Sequence, residues 1–461
     1  MEKFEKVVKG NIVLEDRVIN GAVGVNNGKI EKIVMDSKTI DGEEVLDFTD
    51  KFVFPGIIDV HVHCYSNTEE GFIPTSSAAA AGGVTTFMDM PYDRPAPINN
   101  VEIFKEKVER LKEEAIVDIG LWATISKKDG TDQIKPLSEA GAMAFKMSTF
   151  ETDEFRFPRI PDLEIMEAME QLRELGIRAA FHAENDEIIY GLIEKYEEEG
   201  KVYPAAHMET RPPISETTAV LKLLEFAYFT KSPLHIVHVS HPRTIELIQL
   251  YKAQGVNVTL ETCYPYLMLD VTALEKYGPK AKNNPPLRLP EEVQGLWEKL
   301  SAHHINLISS DHAPWPYQSK EIGNDNIFKA TSGMPGLDVM VPLMFDSAVN
   351  TKKITPVEFA KLMSTHPAEV FSIPSKGKIK EGYDADFTVI DPTETFIVDE
   401  TKFHSNAKLS PFDGYEGKGK VAQTIIRGEV VFDGEKIVVE PGFGNFVKGS
   451  AYKGEELVVT K

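Results

Sequence analysis

Between residues 56 and 310 the chain alternates short apolar runs with amphipathic segments, and this alternation restricts its fold more than any other feature. The runs are Gly56–Val62, Val84–Met90, Val117–Ala123, Ala142–Met147, Ala179–His182, Leu234–Val239, Val256–Leu260 and Asn306–Ser310. Between most of them lie segments of helical period, among them Val101–Glu114, Leu163–Leu175, Glu216–Phe229 and Pro290–Ser301. Eight buried strands joined by helical crossovers predict an α/β fold closed into a (β/α)8 barrel, the TIM-barrel architecture. An open doubly wound sheet would need a glycine-rich phosphate loop after an early strand. Gly82-Gly83 instead precedes its strand, and no Walker-type sequence is present.

The two ends of the chain read differently. Lys6–Leu14, Ala22–Val25 and Ile30–Val34 are β-like and separated by turn signals at Asn20-Gly21, Asn27-Gly28 and Asp41-Gly42. Strand-like segments return at 384–390 and 421–426, followed by turns at Arg427-Gly428 and Asp433-Gly434. We therefore expect a small β-sandwich built from both termini, residues 1–52 and 376–461, flanking a barrel over 53–375.

Only Cys64 and Cys263 occur in 461 residues, which excludes a disulfide framework and an all-cysteine metal site. Histidine and carboxylate must then supply any metal ligands. A net charge of -22, from 72 acidic and 50 basic residues, opposes binding to nucleic acid or anionic membranes. No run is long enough to span a membrane, and the charged N-terminus resembles no targeting segment, so a cytoplasmic location is expected.

In a barrel of this kind, catalytic groups come from the C-terminal ends of strands. Those ends carry His61 and His63 in Asp59-Val60-His61-Val62-His63, then Lys146, His182, His238 and Asp311. His61 and His63, two apart on a strand, share one face and can aim two imidazoles at one point. Imidazole and carboxylate suit zinc, manganese, iron or cobalt. Lys146 lies between apolar Phe145 and Met147, where an unpaired ammonium is costly. Either its head snorkels to solvent, or its amine takes up carbon dioxide and becomes an anionic carbamate able to bridge two metals.

With these residues in place the chain resembles the cyclic amidases of the amidohydrolase superfamily: allantoinase, dihydropyrimidinase (hydantoinase) and dihydroorotase. The resemblance runs through nearly the whole chain. It includes Pro55-Gly56-Ile57-Ile58-Asp59-Val60-His61-Val62-His63, His182-Ala183-Glu184-Asn185, His238-Val239-Ser240, Asn284-Pro285-Pro286-Leu287-Arg288, Ser310-Asp311-His312-Ala313-Pro314 and Ser332-Gly333-Met334-Pro335-Gly336-Leu337. It implies that His61, His63 and Asp311 bind one divalent metal, His182 and His238 a second, and carboxylated Lys146 bridges both, zinc being favoured. It implies hydrolytic opening of a cyclic amide or ureide by a metal-bridging hydroxide, with Asp311 as base and then acid. Asn284, Ser332 and His312 are implied substrate contacts, and a homo-oligomer, tetramer or dimer, is implied as well.

The substrate branch is narrowed by departures. Tyr65 stands where dihydroorotases carry a carboxylate-binding Arg, and Ser148-Thr149-Phe150-Glu151 lacks the Tyr that hydantoinases place after the bridging lysine. The segments 154–162 and 344–349 look more like allantoinases, yet Tyr264 replaces a common His and Asn283-Asn284 a common Cys-Ser. Allantoin or a hydantoin is the expected substrate, with a dihydroorotase-like or cyclic imide hydrolase, or a noncatalytic scaffold, as alternatives. Cys64 is expected to pack rather than react, and Arg94 to be solvated surface charge rather than an anion contact.

Overall fold

The computed structural model describes residues 2–128 and 130–453. Met1 and residues 454–461, the outermost parts of the expected terminal segments, lie outside them, as does Asp129. The N-terminal strands are β1 (Glu2–Val13), β2 (Val18–Asn26), β3 (Lys29–Val34) and β4 (Ile40–Pro55). After the single residue Gly56 the chain enters the barrel, whose strands are β5 (Ile57–Val62), β6 (Val84–Asp89), β7 (Asp118–Leu121), β8 (Phe145–Ser148), β9 (Ala179–His182), β10 (Leu234–Ile236), β11 (Val258–Cys263) and β12 (Leu307–Ser309).

The barrel strands pair in parallel in sequence order. Parallel bridges Ala123↔Phe145 and Val62↔His312 join the two arcs into a closed ring. Every residue of β5 and β6 is buried, including the polar Asp59, His61 and Asp89. The outer helices start and stop where the local chemistry directs. Asn100 caps Val101–Glu114 by accepting from the Ile103 N–H, and Gly176, at φ 68°, ends Asp162–Leu175 in the left-handed conformation. Helices also span Pro213–Thr230 and Pro290–Ser301, close to the ranges that periodicity predicts.

Late strands β13 (Phe387–Ile397), β14 (Glu416–Ile426) and β15 (Glu429–Phe432) join the N-terminal ones in one seven-stranded sheet of order β15-β14-β13-β4-β1-β2-β3. β4 is the seam, parallel to β1 and antiparallel to β13. Val8, Ile12, Val23, Ile30, Val53, Phe387, Val389 and Ile425 form the core of this β-rich domain. A final strand, β16 (Phe446–Val447), leaves that sheet and adds to β7 of the barrel. Barrel and sheet are also stitched by charge at the barrel's base. Lys376 lies 2.7 Å from Asp118 at the start of β7, 2.6 Å from Asp386 and 3.2 Å from Asp384, while Arg427 grips both oxygens of Asp118.

Candidate metal centre

Asp59 prepares the site from below. Its buried carboxylate accepts from the backbone N–H of His61 and of Ser310, tying the end of β5 to the turn after β12. Burial pushes Asp59 up to about 7. That turn places Asp311 at φ 49°, and the turn after β10 places His238 at φ 39°, both in the left-handed region that costs a non-glycine residue roughly 1–3 kcal/mol. Strain at two site residues is what a geometry held for function looks like.

The six side chains singled out in the sequence meet at the mouth of the barrel. Lys146 Nζ lies 2.7 Å from His61 Nε2, and Asp311 Oδ1 lies 3.1 Å from that nitrogen and 3.6 Å from His63 Nε2. Ligand atoms of His61, His63 and Asp311 lie within 4.8 Å of one another, so these three can share one cation. On the other side, His182 Nδ1 and His238 Nε2 are 2.9 Å apart, and the rings of His61 and His238 are 5.4 Å apart.

Three of the four imidazoles are held from behind. His61 Nδ1 meets Glu261, His182 Nε2 meets Glu184 at 2.8 Å, and His63 Nδ1 meets Ser66 Oγ at 3.1 Å. A carboxylate on the outer nitrogen fixes the tautomer and leaves the inner nitrogen bare, which suits a metal ligand. Burial, with the Lys146 ammonium adding to it, pushes His61 and His63 well below their ordinary value. For His238, burial is joined by His182 and Lys146. These rings are neutral at pH 7, the protonation state that metal binding requires.

Lys146 is buried, rests 5.7 Å from the Tyr92 ring and 5.9 Å from the Phe157 ring, and contacts no carboxylate among the described residues. It does not snorkel. Burial pushes its ammonium down to about 8 against the pull of Asp311 and Glu261. The same burial pushes Asp311 up to about 7 and Glu261 up to about 8. An arrangement in which acid and base are both driven toward neutrality is suited to a bound cation.

Above these groups opens a cavity of about 390 Å³. His63, Lys146, His182, His238 and Asp311 form its floor, with His61 beneath them, and Asn284 and Ser332 line its wall. The Asn284 side-chain oxygen is buried without a hydrogen-bond partner, whereas the Ser332 carbonyl already accepts from the Trp315 indole at 2.8 Å. His312 lies outside the wall. Its Nδ1 accepts from the backbone N–H of Gly336 and Leu337, so it ties down a loop. Tyr264 likewise sends its hydroxyl to the Pro335 carbonyl, and Cys64 is fully buried.

Sequence reasoning assigned no role to Glu261, Glu184, Ser66, Arg156 or Trp315. Glu261 has a signal, an acid directly after the run Val256–Leu260, and Glu184 another, its two-residue offset from His182. Arg156 and Trp315 lie on loops, where no periodicity marks direction.

Comparison with known proteins agrees with this geometry. The profile of the Amidohydrolase family matches residues 52–431, and the chain belongs to that family. It is an enzyme of the hydrolase class. It is 33% identical over 460 residues to an allantoinase of Rubrobacter xylanophilus, covering 99% of this chain and 100% of that one. It is 31% identical to an L-hydantoinase of Paenarthrobacter aurescens, covering 98% and 100%. Among solved structures, an L-hydantoinase (dihydropyrimidinase) from Arthrobacter aurescens superposes with a TM-score of 0.93 at 31% identity, covering 96% of this chain and all of that one.

Proposed function

We propose that this protein opens the ring of a cyclic ureide or amide, with allantoin and hydantoins as first candidates, at a centre of two divalent metal ions. The observation that carries the reading is the convergence of bare imidazole nitrogens, Asp311 and Lys146 on one buried point while Glu261, Glu184 and Ser66 hold the outer nitrogens. In this reading His61, His63 and Asp311 would hold one ion, His182 and His238 the other, and N-carboxylated Lys146 would be a ligand to both. A Lys146 pushed down to about 8 is neutral in roughly a tenth of molecules at pH 7. That free amine adds to carbon dioxide, forming an N–C bond and releasing one proton, and the unpartnered cation becomes an anion.

When bound, such ions would supply a nucleophile near neutral pH, since coordination lowers the pKa of water from 15.7 to about 7, and would polarise the ring carbonyl. Asp311 reaches the floor of the cavity and takes the proton of the attacking water. It then delivers that proton to the ring nitrogen as the C–N bond breaks, so the nitrogen leaves as a neutral amine or amide. Asn284, with its unpartnered oxygen, accepts a ring N–H, and the wall near Ser332 orients the ring.

The test is metal analysis and assay on one sample. We expect two equivalents of divalent metal, zinc first among them, a carbamate on Lys146 detectable after growth with ¹³C-bicarbonate, and ring-opened product. The panel is both enantiomers of allantoin, hydantoin, dihydrouracil, dihydroorotate and succinimide. A metal-loaded protein inert toward every ring refutes the substrate class, and an unmodified Lys146 with no stoichiometric metal refutes the centre itself.

A further inference from the structure

We infer that the ring this enzyme opens carries a carboxylate substituent, held by Arg156 with Arg94 beside it at the outer wall of the cavity. The inference rests on the proposed ring hydrolysis and narrows its substrate. Arg156 is 9% exposed, and it lines the same cavity as the floor residues. Its Nη1 donates to the Tyr92 carbonyl at 2.8 Å, but its buried Nε has no hydrogen-bond partner, and no bond from Nη2 is present among the described residues. The Nε–Nη2 edge of a guanidinium presents two parallel N–H groups at the spacing of a carboxylate's oxygens. A fork with one arm anchored and a buried, unpartnered Nε on its other edge has the geometry to pair with a carboxylate.

Asp153 and Asp93 act on Arg156 from a distance, but among the described residues no carboxylate pairs with it directly. Asp153 turns to its own loop, accepting from the backbone N–H of Phe155 and Arg156, and Asp93 pairs with Lys107 at 2.7 Å. Neither carboxylate comes within 4 Å of the Arg94 or Arg156 guanidinium. Both cations instead stand over the half-buried Trp315, 5.8 Å from its ring centre for Arg94 and 5.9 Å for Arg156. Burial and the nearby Arg94 cation both press Arg156 below its ordinary value, a cost that an anion between the two guanidinium groups relieves. The site is also joined to the metal floor, because Ser66 Oγ contacts both the Tyr92 carbonyl and His63. A ring seated at the floor can therefore extend a substituent toward this wall. A neutral substituent would leave a nearly buried guanidinium edge unpaired.

Steady-state kinetics on the metal-loaded enzyme test this with hydantoin-5-acetate and dihydroorotate, the corresponding carboxamides, and unsubstituted hydantoin. We expect kcat/KM for at least one acid to exceed that of its carboxamide about tenfold or more, mainly through KM, and the preference to shrink with added salt. Arg156→Gln should lower kcat/KM for the acid at least about tenfold more than for the carboxamide, and Arg156→Lys should restore part of the difference. Arg94 is exposed and its side chain makes no hydrogen bond among the described residues, so Arg94→Gln gives a smaller loss in the same direction even if Arg156→Gln does not fold. Hydantoin and the carboxamides turned over as well as the acids would overturn the inference and leave the ring hydrolase standing. So would an Arg156→Gln variant that loses acid and carboxamide equally. If no ring is opened, the ring-hydrolase reading fails and the inference falls with it.

Discussion

Two lysines buried at opposite ends of the barrel, Lys146 on its strand β8 and Lys376 where the terminal β domain meets its base, have opposite surroundings. At the mouth, Lys146 touches an imidazole nitrogen and, among the described residues, no carboxylate, and burial drives its ammonium down to about 8. At the base, Lys376 touches Asp118, Asp384 and Asp386. Burial acts to lower it, but those three carboxylates outweigh burial and hold its pKa above the ordinary value. Asp118 shows the other half of that balance. Burial acts to raise it, and Lys376 with Arg427 brings it below the ordinary carboxylate value. A buried charge whose partners are all present holds two domains together; one without a carboxylate partner among the described residues is driven toward its neutral form. The difference lies in what surrounds the amine, since both residues are nearly inaccessible.

The sharpest way to break this contrast is to remove each lysine in turn. Lys146→Met should cut kcat/KM by on the order of 10³-fold or more, because several kcal/mol of transition-state stabilisation depend on a complete metal centre. The stability of the metal-free protein should change by less than about 1 kcal/mol, since the cation removed had no carboxylate partner. Equal destabilisation by Lys146→Met and Lys376→Met in urea melts would erase the distinction. Lys376→Met should cost about 3–5 kcal/mol, the range for breaking a buried ion pair from one side, while activity per folded molecule persists.

A smaller effect is expected one residue behind the ligands. Glu261→Gln replaces the carboxyl group behind His61 with an amide and should weaken metal affinity about 10–100-fold, read by competition with a chelator, with the fold intact. Unchanged affinity would mean that Glu261 is a packing residue.

The smallest effect is set by pH. Burial, with Arg211 and Lys282 adding to it, pushes His207 behind the cavity well below its ordinary value, and its Nε2 lies 2.8 Å from the Asn283 carbonyl oxygen. A depressed histidine contributes stability that is present above its unfolded pKa of about 6.5 and is lost as pH falls toward the folded pKa. Each such ring therefore removes about 1.4 kcal/mol per pH unit below 6.5. Asp118, also depressed, loses its contribution only as pH falls below about 3.8. Hydrogen exchange of the metal-free protein should thus loosen the mouth between pH 6.5 and 5 while the base stays protected, and His207→Gln should flatten part of that slope. Uniform loosening would show that the two regions do not differ in acid sensitivity.

The eight barrel strands and four of the outer helices were legible in the chain because burial on both strand faces forces continuous apolar runs, and a helix over a sheet forces a 3.6-residue period. His61, His63, Lys146, His182, His238 and Asp311 were legible for the same reason, since each ends a strand that periodicity locates. Glu261 receives no role from the sequence because that role depends on a ring from another strand, whereas Arg94, expected as solvent-facing charge, is exposed. His312 sits beside Asp311 in sequence, yet it faces the Gly336–Leu337 backbone and not the cavity.

Sequence alone determined which residue types could serve a metal and at which strand ends they stand, because strand and helix periods are local properties of a polymer with one side chain per residue. Tertiary structure decided which of them share a point, which nitrogen each histidine turns inward, and which buried lysine lacks a counter-charge. Those are distances between groups far apart in the chain, and only closure of the barrel makes them short.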